Sequence, residues 1–507
     1  MLKKITLTGE QKKVLFLPVT NPIQIKGVAG SGKTTVALYR AKHLLETQGT
    51  LFQTAKVIIF TFNKTLSAYI KAINPFINGG YRKESNEITP KTPDGLNVQV
   101  INFHSWAYGF VGIEYSQTIM QWTQIEIINN IKAQLNSNIS NSKVLDKSSE
   151  FFLEEISWIK GKLFERKKEY LDAKRTGRGT ADRITKNDKD VVWDVYNRYN
   201  AELKNRGKID FDDYAILSLN KIKNSPNFSP PFTHIIIDEA QDLNKAQILT
   251  ISQLVDRDTN SLSIIADAAQ RIYKSGFSWS EVGINVRGGR TIEFKKNYRN
   301  TVHIANAALS LLSHEHDKSE FTKVEAALKG GEKPKIGFFN MYDDQLNQLN
   351  KELISLSNNN ELSNSVILHR TNIGVKGVDN FLTSHGYSTE LVRSNQPVNY
   401  ESDSIKICTM SSVKGLEFMN VFIIDLNDDV IPFPPGFIGA DDEFHISTER
   451  RLLYTCMTRA QKKLYLFSSG TPSRYLREIN SKFLDNISYH KVSIKTDNNG
   501  IDDDIPF

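Results

Sequence analysis

The chain of 507 residues carries a formal net charge of +7, with 39% hydrophobic and 24% charged residues. That length exceeds one hydrophobic core and suits about two to four domains with clefts between them, and the charge permits a polyanionic partner without demanding one. No run of about eighteen apolar residues occurs and no apolar stretch follows Lys3 and Lys4, which excludes a membrane span and a secretory leader and points to the cytoplasm. Only Cys408 and Cys456 occur, which excludes a disulfide framework and a cysteine-held zinc or iron–sulfur site and leaves two small buried residues.

Short β-branched runs alternate with helical patterns, the signature of parallel sheets covered by helices, so the predicted class is α/β. Strands are predicted at residues 23–26, 57–61, 234–238, 263–267, 366–369, 405–410 and 421–425. Between residues 109 and 211 the strand signal fades into polar helix. A mainly helical, basic domain is therefore expected at 111–199, inserted into a first α/β lobe built from 1–110 and 200–290. A second α/β lobe is expected at 291–485, with a surface loop at 355–364 and a flexible acidic tail at 486–507.

Gly27-Val28-Ala29-Gly30-Ser31-Gly32-Lys33-Thr34 follows the first predicted strand and precedes a helical run at 35–45. Gly27, Gly30 and Gly32 let backbone N–H groups turn inward around a β-phosphate, and the helix N-terminus adds partial positive charge. Lys33 supplies a full charge to the β- and γ-phosphates, and Thr34 a hydroxyl for Mg²⁺. Binding of ATP or GTP is the strongest local inference. The strand at 234–238 ends in Asp238-Glu239. Asp238 is suited to hold Mg²⁺ through water and Glu239 to polarise the attacking water, which makes the pair with the phosphate loop a nucleotide hydrolase.

At Asp238-Glu239-Ala240-Gln241-Asp242 the chain resembles superfamily-one helicases of the UvrD/Rep type, and ordered matches run from Gln11 to Leu476. The resemblance implies two RecA-like P-loop lobes and an ATP- and Mg²⁺-dependent motor on single-stranded or tailed DNA, moving 3′ to 5′. Leu7-Thr8-Gly9-Glu10-Gln11 is similar to the family's adenine-reading motif, and Thr35 joins Thr34 among the nucleotide-binding residues. Thr61-Phe62-Asn63-Lys64 and Asn102-Phe103-His104-Ser105 resemble its nucleic-acid-contacting loops, which gives Phe62, Asn63, Phe103 and His104 that role. In the segment from Ala266 to Tyr273 the resemblance assigns phosphate sensing to Gln270 and base stacking to Tyr273; Phe277 and Trp279 are further aromatic candidates, or ordinary core residues. Lys296-Asn297-Tyr298-Arg299 is similar to the motif whose tyrosine stacks on adenine and whose arginine reaches the γ-phosphate. Lys414-Gly415-Leu416-Glu417-Phe418 matches the next motif, with Glu417 at the nucleotide, and Arg459 in Thr458-Arg459-Ala460 would be the arginine finger. Arg299 and Arg459 lie in the second lobe and Lys33 and Asp238 in the first, so the nucleotide is fully held only when the lobes close.

The chain departs from the family at three places. Ser411 stands where a histidine usually precedes the Lys-Gly-Leu-Glu-Phe motif, and Ser275 where a stacking aromatic is usual. The large helical insertion of the second lobe is missing, which favours translocation over robust unwinding. Lys160 to Lys189 holds eleven Lys or Arg against five Asp or Glu, with Tyr170 among them; this is either a basic face over the path of an incoming strand or a solvated helical face. Three functions fit: a DNA translocase or helicase, an RNA-directed motor, and an ATP-gated nucleic-acid-binding switch within a larger repair or phage-defence assembly. The last residues, Asp502-Asp503-Asp504-Ile505-Pro506-Phe507, resemble the acidic tip of bacterial single-stranded-DNA-binding proteins, which implies docking onto proteins that bind that tip.

Overall fold

The computed structural model describes residues 7, 9–49, 55–61, 81–84, 87–90, 98–138, 142–173, 184–267, 269, 277–315, 324–326, 330–362, 364–392, 402–433 and 443–487. Two parallel sheets organise them. The first holds β1 (Ile23–Gly27), β2 (Val57–Thr61), β3 (Gln99–Asn102), β4 (His234–Ile237), β5 (Ser261–Ala266) and β6 (Thr291–Phe294) in the order β3-β2-β4-β5-β1-β6. Every neighbouring pair is parallel. A parallel sheet is covered on both faces, so its strands must be apolar on both sides. In β2 the alternation is explicit: Val57 and Ile59 enter one core with α1 (Lys33–Gln48), while Ile58 and Phe60 enter the other.

The second sheet holds β7 (Lys335–Phe339), β8 (Ser365–His369), β9 (Thr389–Leu391), β10 (Ile405–Thr409), β11 (Phe418–Ile423), β12 (Ala460–Ser469) and β13 (Asp485–Asn486), in the order β9-β10-β8-β11-β12-β7-β13. It is also parallel throughout. Val421 and Ile423 of β11 face one core and Phe422 the opposite one, repeating the pattern of the first lobe. Each such side chain contributes about 1.5–3 kcal/mol on burial. The α/β class with two RecA-like lobes is thus the observed architecture, with Thr291–Phe294, expected in the second lobe, paired instead with β1 at the edge of the first sheet. Each predicted strand has a counterpart within about three residues of its expected bounds, as ordinary end-fraying allows.

Between β3 and β4 the chain leaves the first sheet. After α2 (Phe103–Val111) come α3 (Gln121–Asn138), α4 (Ser149–Lys162), α5 (Lys167–Asp172) and α6 (Lys186–Asn205). These helices close around a core of their own that includes Ile127, Ile131, Phe152, Ile156, Val192 and Tyr199. Helix α6 continues past residue 199, and a bridge between Thr118 and Ile209 marks where the chain rejoins the first lobe. Then α7 (Asp213–Lys223) leads to β4, and α8 (Lys245–Ser252) follows it. Among the described residues no helix is long and apolar enough to cross a membrane.

Candidate active site and nucleic-acid cleft

In a parallel sheet all strands end on one edge, and ligands gather there. The turn after β1 is the phosphate loop, with Gly30 at φ 74° and Gly32 at φ 79°, both left-handed. A side chain at Gly30 would run into Asn297 and Arg299, and one at Gly32 into Gln11, so this loop is pressed between the Gln11 segment and the chain after β6. Only glycine satisfies both the backbone sign and the close approach.

Lys33 is buried, and its Nζ donates to the carbonyls of Gly27 (2.9 Å) and Val28 (3.0 Å) and to Asp267 Oδ2 (3.1 Å). Asp267 follows β5, which pairs directly with β1, so sheet order brings the ammonium and this carboxylate together. One strand further, Thr34 Oγ1 donates to Asp238 Oδ2 at 3.0 Å. Thr35 is half-buried on the next position of α1. Burial first, and then the charge of Glu239, pushes the Asp238 carboxyl up to about 7. Glu239 sits at φ 54°. Burial opposes its charge, yet Lys414, Lys33 and Arg459 hold its pKa below the ordinary glutamate range. Gln241 joins these groups, donating to Glu239 and accepting from the Asp267 N–H at 3.0 Å.

Gln11 and Tyr298, the residues expected at the adenine, both hold the loop after β1. Gln11 Nε2 donates to the Ser31 carbonyl at 2.7 Å, and the Tyr298 N–H donates to the Gly30 carbonyl at 2.9 Å. Glu10 Oε1 accepts from the N–H groups of Lys295 (3.0 Å) and Lys296 (3.1 Å), fixing the Gln11 segment to the chain that carries Tyr298.

The second lobe supplies the arginines. Arg299 Nε donates to Glu417 Oε2 at 2.6 Å, so two residues expected at the nucleotide are paired with each other. Helix α9 (Val302–Leu312) begins just beyond, and α12 (Glu443–Met457) ends beside it. The α10 (Tyr342–Asn358) and α11 (Asn372–Ser384) helices cover the opposite face of the second sheet. Arg459 lies directly after α12, 2% exposed, and donates through Nε to the Thr455 carbonyl (2.9 Å) and through Nη1 to the Leu416 carbonyl (3.3 Å). Burial, then the neighbouring Arg299, lowers its pKa to about 10. Its Nη2 and the Ser31 hydroxyl are buried without a hydrogen-bond partner among the described residues. Unmet buried donors are costly. Here one lies in the phosphate loop and the other on the opposing lobe, which fits an anionic ligand between them. Thr34 and Asp238 are the oxygen donors placed to hold Mg²⁺ with it. Lys414 donates to Asp242 across the seam between the lobes, both side chains being almost fully buried. Asp267 and the Lys414–Asp242 pair were not among the expected site residues. The one available signal was an acid at a strand end next to the phosphate-loop strand.

A cleft of about 970 Å³ opens between the insert and both lobes. His104 and Phe211 line it from the first lobe, and Arg370, Ser411 and Phe433 from the second. His104 meets Phe211 edge-on at 5.6 Å. Phe103 is different: its ring is 0% exposed and packs with Trp106 in the first-lobe core. As the first residue of α2, directly after the Asn102 N-cap, it points inward and offers no face for stacking. Phe277 and Trp279 pair edge-on at 5.5 Å against the same core. The expected basic face also changes character. Lys160 is buried between Asp210 and Asp213, Lys189 donates to the carbonyls of Tyr170, Leu171 and Ala173, and Tyr170 is buried on Glu155. These three residues hold the insert together, while Arg166, Lys167 and Lys186 of the same run stay exposed, paired with Glu169, Asp190 and Asp172. Phe62, Asn63, Gln270, Tyr273 and the tail from Asp502 to Phe507 lie outside the described residues.

Residues 7–282 match the family described as UvrD/REP helicase N-terminal domain, and residues 387–470 match the UvrD-like helicase C-terminal domain. Among curated proteins, the chain is 24% identical over 311 residues to an ATP-dependent DNA helicase PcrA of Leuconostoc citreum, covering 59% of this chain and 38% of that one. To the PcrA of Staphylococcus epidermidis it is 27% identical over 364 residues, covering 69% and 46%. To that of Staphylococcus aureus it is 22% identical over 663 aligned residues, covering 93% of this chain and 86% of the relative. The matched region thus spans less than half the length of the first two relatives.

Proposed function

The chain belongs to the UvrD/REP helicase family, and from that membership we propose that it is an ATP hydrolase that moves along single-stranded DNA, in the 3′ to 5′ direction. The observation that carries this reading is the division of one phosphate site between two lobes. Lys33, Thr34, Asp238 and Glu239 come from the first lobe and Arg299 and Arg459 from the second. Thr34 and Asp238 would hold Mg²⁺, which would supply neutralisation of phosphate charge at this site. Lys33 exchanges its carbonyl and Asp267 contacts for the phosphate. Glu239, kept ionised by Lys414, Lys33 and Arg459, orients the water and accepts its proton. Arg459 places its unpaired Nη2 on the charge that develops in the transition state. Once that charge leaves, the two lobes lose a shared ligand and can part, and alternating closure is converted to movement when each lobe grips the strand.

The cleft lined by His104, Phe211 and Phe433 is the place for the strand. The Asp502–Phe507 tip is proposed to dock onto proteins that recognise the tip of single-stranded-DNA-binding proteins. The activity is tested by ATPase with and without single-stranded DNA, together with displacement of a strand from 3′-tailed and 5′-tailed duplexes. Stimulated turnover with 3′-tail preference is expected; turnover indifferent to DNA would refute the motor.

A further inference from the structure

The helical insert holds one side chain that its own core does not use. The chain has five tryptophans. Four pack against other rings: Trp106 on Phe110 at 4.8 Å, Trp158 on Tyr170 at 5.7 Å, Trp193 on Tyr196 at 5.0 Å, and Trp279 on Phe277 at 5.5 Å. Trp122 is 71% exposed and has no ring or hydrogen-bond partner among the described residues. It lies on the first turn of α3, whose Ile127, Ile128, Ile131 and Leu135 fill the insert core. An indole left in water forgoes a large apolar contact that the other four make.

Its position gives the exposure a use. Trp122 lines the cleft of about 970 Å³ together with His104, Phe211 and Phe433. Phe211 and Phe433 are themselves 38% and 36% exposed, and the Arg370 guanidinium stands 5.0 Å from the Phe433 ring centroid. Aromatic faces from three parts of the molecule therefore meet one space. Charged side chains of both signs line the same space. Arg370 is engaged by Glu449 at 2.8 Å through two bonds, and Asp242 by Lys414. On the insert side Glu150, Glu154 and Lys162 line the wall, and Asp212 and Lys245 line it from the first lobe. A base needs an open ring face, and Trp122, Phe211 and Phe433 on this lining are each at least 36% exposed.

We propose that Trp122 is a base-stacking residue contributed by the helical insert, so that a single strand is gripped between the insert and both lobes. This rests on the reading of the chain as a single-strand motor. Stacking on an aromatic face depends little on base identity and changes affinity about 5- to 150-fold per base. The residue does not touch the phosphate loop, so the nucleotide site is independent of it.

The test compares the full-length wild type with Trp122→Ala and Trp122→Phe. A fluorescein-labelled oligothymidylate is titrated at fixed salt and followed by anisotropy, and the KM for ATP is measured without DNA. The expected result is a Kd raised about 5- to 150-fold in Trp122→Ala, a much smaller rise in Trp122→Phe, and an unchanged KM for ATP. Intrinsic tryptophan quenching on DNA binding should also shrink in Trp122→Phe. Wild-type affinity in Trp122→Ala, or equal losses in both variants, overturns the stacking role and leaves the motor reading standing. A wild type that binds no oligonucleotide overturns both.

Discussion

Lys160→Ala tests whether the insert is fastened to the ATP-binding lobe by buried charge. Lys160 is 2% exposed, and its Nζ lies 2.7 Å from Asp210 Oδ2 and 2.7 Å from Asp213 Oδ1. Tyr199 donates to the same Asp210 oxygen at 3.0 Å, and Gln124 donates to Tyr199 at 3.0 Å, so helices α3, α4 and α6 all meet the loop before α7. Burial raises the Asp210 carboxyl, but the Lys160 charge outweighs it and holds the pKa below the ordinary aspartate range. A carboxyl with a depressed folded pKa contributes stability above its unfolded pKa and loses it as pH falls through the folded value, so at neutral pH the contribution is fully present. Removing the lysine strands two carboxylates away from water, at a cost of about 3–5 kcal/mol. At about 2–4 °C per kcal/mol for a domain of this size, the first thermal transition should fall by at least about 6 °C. Differential scanning calorimetry reads it. Lys160→Ala combined with Asp210→Asn and Asp213→Asn should recover most of the loss, because no buried charge remains. A single-variant shift under about 2 °C, on the same scale, would mean that water reaches the network and would refute the reasoning.

Lys33→Ala should abolish ATP hydrolysis in a chain that still folds, with a lowered melting temperature because the buried Asp267 loses its ion-pair partner; retained DNA-stimulated turnover would remove the site assignment. His234, at the start of β4, has its pKa lowered from 6.5 to about 4, by burial first and then by Arg40. The unfolded chain therefore takes up the proton first, so stability should be full above about pH 6.5 and decline toward pH 4, by at most about 3 kcal/mol. Urea unfolding of His234→Phe should show a flatter slope over that window, and an unchanged slope would reject the assignment. A nine-residue peptide ending in Phe507 should bind proteins that recognise the single-stranded-DNA-binding tip, and calorimetric titration showing no heat for the peptide would leave the tail as a solubilising segment.

What the sequence conveyed depended on how local each feature was. The phosphate loop, Asp238 and the strands around them were legible because a strand, a turn and a helix N-terminus occupy one short stretch. Besides β6, β7, β9 and β13, the four-residue β3 and the ten-residue β12 were missed. The first is too short for a pattern, and the second opens with the polar Gln461, Lys462 and Lys463. Lys160 was read within a charged run, since nothing in its neighbours announces that Asp210, fifty positions on, will bury it. Phe103 followed the resemblance to a DNA-contacting loop, whereas the Asn102 cap turns its ring into the core. Lys33 with Asp267 and Lys414 with Asp242 join positions 234 and 172 apart, visible only once sheet order and lobe closure are known.

The most direct test of the two-lobe site is Arg459. The guanidinium is held by two carbonyls with Nη2 left over, so it is placed to act on transition-state charge more than on ground-state binding. Nucleotide affinity and single-turnover phosphate release should be measured for Arg459→Ala and Arg459→Lys in saturating single-stranded DNA. The account predicts that binding survives while release slows about 10³–10⁵-fold in Arg459→Ala, with Arg459→Lys recovering little because it lacks the planar fork. Hydrolysis at the wild-type rate in a folded Arg459→Ala would contradict a site shared between the lobes.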